Sequence, residues 1–391
     1  MPASPTRAKR LMLVLVVGSC GLVIGFGYLK GIHYCLDVLW TTIPDAVSNK
    51  FAVGAYAVVM TTLGATAVAY LRKRTDVFGH SPLDGLEVTF DPLRVSLIAV
   101  AAVIITLLSG AVLGPEAGLI AIGTAIGTFF LDRSGLGNDA RNLLVRAGVL
   151  GALLALVVQL GFGRTINITT GPLDVAWMNL VGSIPVAATA ALLIAVVRLA
   201  AYRLRGLADV KPPVVSRIAA VGLAVGLIAV AGVLVSDANP RLILGSGEGF
   251  MLEVMAVSSV GTVLVIVLAK SILYCLCLGG GIRGGPIFPA MFLGAATGTV
   301  FTLLHMPGEA TALAASGVLA GTTVGIALGW RALIIGGVVI GLLLGSWLLI
   351  APSIVGLVVG RVVGGALKHV PGVGPVPDRD TPATDPSSAV A

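Results

Sequence analysis

GPEAGLIAIGTAIGTFF occupies residues 114–130, and GPIFPAMFLGAATGTVF occupies residues 285–301. Laid over each other, the two share Gly114/Gly285, Pro115/Pro286, Gly123/Gly294, Ala125/Ala296, Gly127/Gly298, Thr128/Thr299 and Phe130/Phe301, every pair 171 positions apart. Each copy follows a long apolar segment. Further upstream, DGLEV at 84–88 and GFMLEV at 249–254 share Leu-Glu-Val. An ungapped match that includes Pro, Thr and Phe reads as a duplicated unit. Matching Gly/Pro-interrupted apolar segments in two halves point to broken helices meeting at a transporter-like site.

A helix that begins inside a membrane presents unpaired N–H groups and the positive end of its dipole. Facing hydrocarbon, those groups cost several kcal/mol each (about the value of an unsatisfied buried polar group); facing an anion, they become its ligands. Proline suits such a start because it contributes no orphan donor, and the preceding glycine lets backbone and ligand approach closely. The two GP starts therefore read as helix N-termini aimed at one place. Glu116 sits in the first turn of the first, the one charged residue between Arg94 and Asp132. A carboxylate in an anion cradle takes the ligand's position, and vacates it when protonated or swung aside. Glu116 is thus expected to gate the path.

The composition supports a membrane setting. Of 391 residues, 57% are hydrophobic and 11% charged, with a mean hydropathy of +1.04. A soluble domain of this size needs far more charge to cover its surface. Apolar stretches of near-spanning length run over 11–29, 51–71, 95–113, 143–161, 176–197, 215–235, 257–278 and 332–350, so the chain is read as an all-α polytopic membrane protein. Shorter segments at 119–131, 287–304 and 312–328 read as half-helices that do not cross. The net charge of +7 describes topology rather than nucleic-acid binding. Basic residues gather at Arg7–Lys9–Arg10, at Arg72–Lys73–Arg74 and between Arg198 and Arg217, which by the positive-inside rule places the N-terminus in the cytoplasm. The division expected is a cytoplasmic segment over 1–10, a first membrane repeat over 11–205, a second over 206–367 and a disordered cytoplasmic tail over 368–391. The four cysteines lie in or near apolar segments and read as core residues. The N-terminal run reaches Leu29, long enough for a retained helix rather than a cleaved signal.

These motifs resemble the CLC family of chloride channels and chloride/proton exchangers. AKSILYCLCLGGGIRGGPIFPAMFLGAATG (269–298) is similar to that family's Lys/Arg-bearing helix, glycine-rich stretch and GxFxP signature, and GPEAG (114–118) to its G(K/R)EGP signature, with the glutamate in register. LGSGEGF (244–250) fits the linker ahead of the second-half helix. The resemblance covers most of 11–367 and implies two inverted-topology repeats with re-entrant helices, a homodimer with one pore per subunit, and Glu116 as gate. It also implies anion ligands at Gly114, Ala117, Gly285, Ile287 and Phe288. Lys270, Arg283 and His80, read by their own charge, can lend electrostatic support to an anion there. Pro115 and Pro286 stand where the family has N–H donors, so each cradle loses one. The family's GSGIP signature is represented by FGHSP (78–82), which puts Gly79 at the serine position with Ser81 and His80 beside it. No tyrosine follows Tyr274, so the family's C-terminal tyrosine ligand is absent, and no acid lies between Asp139 and Asp174, where exchangers carry an internal proton glutamate.

Each of these residues has a plainer reading. Glu116 can be a helix N-terminal acid, the GGGIRGGP run (279–286) tight helix packing, Lys270 a snorkelling or paired cation, Ser81 a helix cap, and Arg331 a break between helices. Three functions of different kinds follow: a passive anion channel for chloride or another small halide, a proton-coupled antiporter in which Glu116 carries the proton, or a non-transporting scaffold on the same fold. The expected partners are a small anion, the lipid bilayer and a second copy; no cofactor, metal site, nucleic acid or catalytic group is expected. The expected location is a bacterial-type plasma membrane.

Overall fold

The computed structural model describes residues 5–47, 49–75, 82–84, 91–136, 140–162, 177–208, 215–326 and 349–373. Among these the regular structure is helical, apart from a single isolated bridge between Gly114 and Gly285. In chain order the helices are α1 (Pro5–Asp37), running through a π turn into α2 (Ile43–Asp45), then α3 (Lys50–Thr75), α4 (Leu93–Leu108), α5 (Glu116–Ser134) and α6 (Arg141–Phe162). The remainder are α7 (Trp177–Ala208), α8 (Val215–Ser236), α9 (Pro240–Ile243), α10 (Met251–Met255), α11 (Val260–Gly279), α12 (Ile287–Leu303), α13 (Ala310–Ile326) and α14 (Ile350–Ala366). Among the described residues, six helical stretches are long and apolar enough to span a bilayer: Ala8–Asp45, Lys50–Thr75, Arg141–Gln159, Trp177–Arg205, Val215–Ser236 and Val260–Gly279. The protein is a multi-pass membrane protein.

One apolar run departs from the sequence reading. The run over 95–113 does not stay helical: α4 stops at Leu108, and Gly110 takes a left-handed φ of 80°. Trp40 is the reason, since its indole packs where a Gly110 Cβ would lie and its Nε1–H donates to the Leu108 carbonyl at 3.0 Å. Almost all of the run over 332–350, with Arg331, lies outside the described residues.

The duplication is visible as a repeated packing scheme. α1 packs on α6 as α7 packs on α13; α5 packs on α6 as α12 packs on α13; α4 meets α5 as α11 meets α12; and α3 packs against α8. The α5–α6 and α12–α13 crossings match at atomic level. A Cβ on Gly148 would come 2.3 Å from the Gly123 carbonyl, and one on Gly317 would come 2.2 Å from the Gly294 carbonyl. Small residues at these crossings bring the backbones into van der Waals contact, which is how helices associate where lipid supplies no hydrophobic drive. The two halves meet at the bridge. Gly114 N–H donates to Gly285 O at 2.7 Å and Gly285 N–H to Gly114 O at 2.8 Å. A residue exchanging both bonds with its own counterpart is what a local two-fold axis produces. The fold is the inverted-repeat arrangement with helices broken at the axis.

Candidate functional site

Both GP starts sit at this axis. Pro115 and Pro286 occupy N-cap positions with φ of −77° and −91°, the second somewhat beyond proline's usual range, and Glu116 and Ile287 open α5 and α12. Glu116 is 0% exposed. Its Oε1 accepts the Ile287 N–H at 2.5 Å, and the backbone N–H groups of Phe288 and of Glu116 itself also face the carboxylate. The α12 N-terminus thus grips the side chain of the α5 N-terminus. The two bridging glycines make this possible: a Cβ on Gly285 would lie 2.0 Å from Glu116 Cδ, and one on Gly114 would lie 2.0 Å from Oε2. Oε2 is buried with no hydrogen-bond partner among the described residues.

Of the residues expected at the site, the structure brings Glu116, Gly114, Gly285, Ile287 and Phe288 together, with Ala117 on the first turn of α5. Gly79, His80 and Ser81 lie outside the described residues. Arg283 is buried in the loop two residues ahead of Gly285. Lys270 has a different job. Its ammonium, 0% exposed, donates to the carbonyls of Leu242, Ile243, Leu244 and Gly245 at 3.1–3.3 Å and lies 4.3 Å from the centre of the Phe292 ring. It caps the C-terminal end of α9 and pins the linker that follows. The glycine run divides its labour too. Gly279 packs against the Ala201 backbone, Gly281 turns with φ 85° and offers its carbonyl to Arg72 at 2.7 Å, and Gly285 receives Glu116. Tyr274, fully buried on α11, donates its hydroxyl to Pro286 O at 2.6 Å and so braces the start of α12. Cys277, also on α11, accepts the Val112 N–H on its Sγ at 3.4 Å, tying the α4–α5 connection down.

Beside the gate lies a cavity of about 140 Å³ that the sequence did not reveal, bordered by His33, Trp40, Pro115, Arg241 and the 244–250 linker. Gly245 N–H donates to Gly110 O at 2.9 Å, and Gly247, at φ 80°, sits against the Phe292 ring. The pinned linker presents Glu248, whose side chain is 7% exposed and lies 3.9 Å from His33 Nε2. His33 Nδ1 in turn lies 3.0 Å from Gln159 Nε2. Burial, and secondarily the charge of Glu116, push the Glu248 carboxyl up to about 8. Arg241 is engaged with Asp37 at 2.9 Å. Tyr28, on α1, reaches the first turn of α5 with its hydroxyl. The sequence signal for Glu248 was an acid inside the glycine-rich LGSGEGF; nothing in the chain near Tyr28 marks it.

Comparison with known proteins agrees with this arrangement. A family model described as voltage gated chloride channel matches residues 149–365, more than half of the chain. The chain is 25% identical to the protein named "Putative ion-transport protein YfeO" of Salmonella newport, in an alignment covering 93% of this chain and 99% of that one. Its fold is similar to that of a slow cyanobacterial Cl−/H+ antiporter, with a TM-score of 0.71, 17% identity and coverage of 93% and 96% of the two chains. It is also similar to a CLC-type fluoride/proton antiporter, with a TM-score of 0.54, 16% identity and coverage of 92% and 96%. A broken-helix pair gripping one carboxylate at a two-fold axis, and a family match spanning the second such helix, lead to one assignment: this chain belongs to the CLC family of ion-transporting membrane proteins.

Proposed function

We propose that the protein carries a small anion, chloride or another halide, across the membrane along a path gated by Glu116, as a passive channel that does no chemistry on its cargo. One observation carries this reading: the Glu116 carboxylate occupies the N–H donors of Ile287 and Phe288, the place an anion would take at the α12 N-terminus. Protonation weakens that hold, because a neutral acid accepts from the N–H groups less strongly than a carboxylate does. The gate then leaves and an anion succeeds it. Basic residues at both ends of the α1–α3 pair support a cytoplasmic N-terminus in a bacterial inner membrane, and the family resemblance supports a homodimer.

A second reading, proton-coupled antiport, is favoured by Glu248, whose carboxyl lies 3.9 Å from the His33 imidazole beside the gate, and by the names of the two antiporters similar in fold. Flux from proteoliposomes under a chloride gradient, with chloride and pH recorded together, separates the two. Chloride release without proton movement supports the channel; chloride-driven uphill proton uptake replaces it with exchange. Glu116→Gln should leave a channel open and insensitive to acid. No halide binding and no flux from correctly folded protein would sink both readings.

A further inference from the structure

The donors at α12 are consumed by the gate, but two of those at α5 are not. Among the first-turn residues of α12, Pro289 has no N–H, and the Ile287 and Phe288 N–H groups face Glu116. α5 also starts behind a proline, Pro115, but carries Gly118 where α12 has Pro289, so Ala117 and Gly118 both have an N–H. They precede Leu119, whose N–H is bonded to Pro115 O at 3.1 Å, so they belong to the turn that has no intrahelical acceptors.

Tyr28 comes to this turn from α1. A Cβ on Gly118 would lie 2.2 Å from the Tyr28 hydroxyl oxygen, so only a glycine leaves room for it. Because Cα–Cβ bonds tilt toward a helix's N-terminus, a hydroxyl in that spot sits beside Gly118 on the N-terminal side. Tyr28 and Ala117 both pack against the cluster of Ile32, Val103 and Leu107. The hydroxyl is buried and has no hydrogen-bond partner among the described residues. A buried phenol rarely forgoes a partner. Its acidic neighbours are Glu116 and Glu248, and Glu248 is itself faced by His33 on α1.

We infer that the Tyr28 hydroxyl and the N–H groups of Ala117 and Gly118 form a small-anion site on the α1 side of the gate, with Tyr28 as its side-chain ligand. The two N–H groups can only donate and the phenol hydroxyl can turn its proton the same way, a set that suits a small anion. The inference rests on the anion-transport reading and adds to it a place for the ion that Glu116 does not fill. The aromatic ring remains fixed by its apolar neighbours Ile32, Val103 and Leu107, so removing the hydroxyl alone leaves the packing intact.

The test is calorimetric titration of chloride, and separately fluoride, into purified full-length protein, comparing wild type with Tyr28→Phe, each with and without Glu116→Ala. Tyr28→Phe should weaken halide binding about ten-fold in both backgrounds, the scale of one charge-assisted hydrogen bond. Its thermal midpoint in halide-free buffer should stay level or rise, which a merely structural hydroxyl would not allow. Gly118→Ala, which puts a methyl group in the hydroxyl's place, should weaken binding similarly and carries the test should Tyr28→Phe fail to fold. Unchanged affinity overturns the inference while leaving the transport reading standing. A loss seen only when Glu116 is present assigns the hydroxyl to the gate carboxylate instead, and also overturns it. Wild-type and Glu116→Ala proteins that bind neither halide end the transport reading and this one together.

Discussion

At the scale of single residues, the gate depends on two missing side chains. Gly285→Ala would put a methyl group 2.0 Å from Glu116 Cδ, a separation no pair of carbons tolerates. The carboxylate must leave the α12 cradle, so the variant should behave as if Glu116 were absent. Anion flux at neutral pH should rise about ten-fold, equivalent to about 1.4 kcal/mol of lost gate occupancy, and its acid dependence should vanish. Flux that keeps its wild-type pH profile would show that Glu116 does not hold the path shut from this position. Glu248 sets a second pH dependence. With its carboxyl near 8, it is neutral at pH 7 and becomes charged as the pH on the cavity side rises through that value. Of the groups around it, His33 and Tyr28 lie on α1, Glu116 on α5, and Arg241 is already paired with Asp37. An ionised Glu248 therefore adds negative charge at the mouth, and anion entry should fall about ten-fold, the low end of electrostatic steering effects. Glu248→Gln should flatten this alkaline limb; an unaltered limb in that variant would assign it elsewhere.

At the scale of elements, α9 is the piece that holds the mouth in shape, and Lys270 holds α9. Replacing Lys270 with Met removes the donor for four carbonyls, each of which then has to find another partner or stay unsatisfied. Relief from burying an ammonium offsets part of the loss, leaving a net destabilisation of about 2 kcal/mol. The thermal midpoint in detergent should drop by several degrees, and the prediction fails if it does not move. This residue also shows where sequence reasoning stops. A lone lysine on an apolar helix can attract an anion, snorkel or cap, and the choice is made by where α9 ends, 26 to 28 residues earlier. The α4 break is another case. Ser109 and Gly110 lie within an apolar run, and only the approach of Trp40 from α1's far end turns that run into a stop. By contrast, Glu116 was legible because a lone acid in an apolar stretch has few uses, and the GP starts because they recur at a fixed offset. Tyr28 was silent: its position beside Gly118 depends on how α1 crosses α5, which no local pattern encodes.

For the molecule as a whole, the two-fold arrangement makes paired substitutions comparable. Gly123 and Gly294 occupy equivalent crossings, each with backbone of the neighbouring helix 2.2–2.7 Å from an added Cβ. Leucine at either should force the helices apart at similar cost, about 1–3 kcal/mol by the usual penalty of overpacking. Gly27, where an added Cβ meets nothing within 4 Å, serves as the control; Gly27→Ala should be neutral or slightly stabilising. Thermal unfolding of the three variants checks this, and widely different losses at Gly123 and Gly294 would mean that the halves do not share their packing burden.

The reciprocal bond between Gly114 and Gly285 also imposes an order on synthesis. Glu116 enters the membrane long before Ile287, its hydrogen-bond donor 171 residues downstream, has been translated. Until that residue arrives, the nascent first half carries an acid whose cradle does not yet exist, at a cost of about 2.5–3.5 kcal/mol on insertion scales. A ribosome stalled ahead of residue 285 therefore leaves a fragment with an ill-kept acid and an open backbone edge. The gate is among the last features of this protein to come into being.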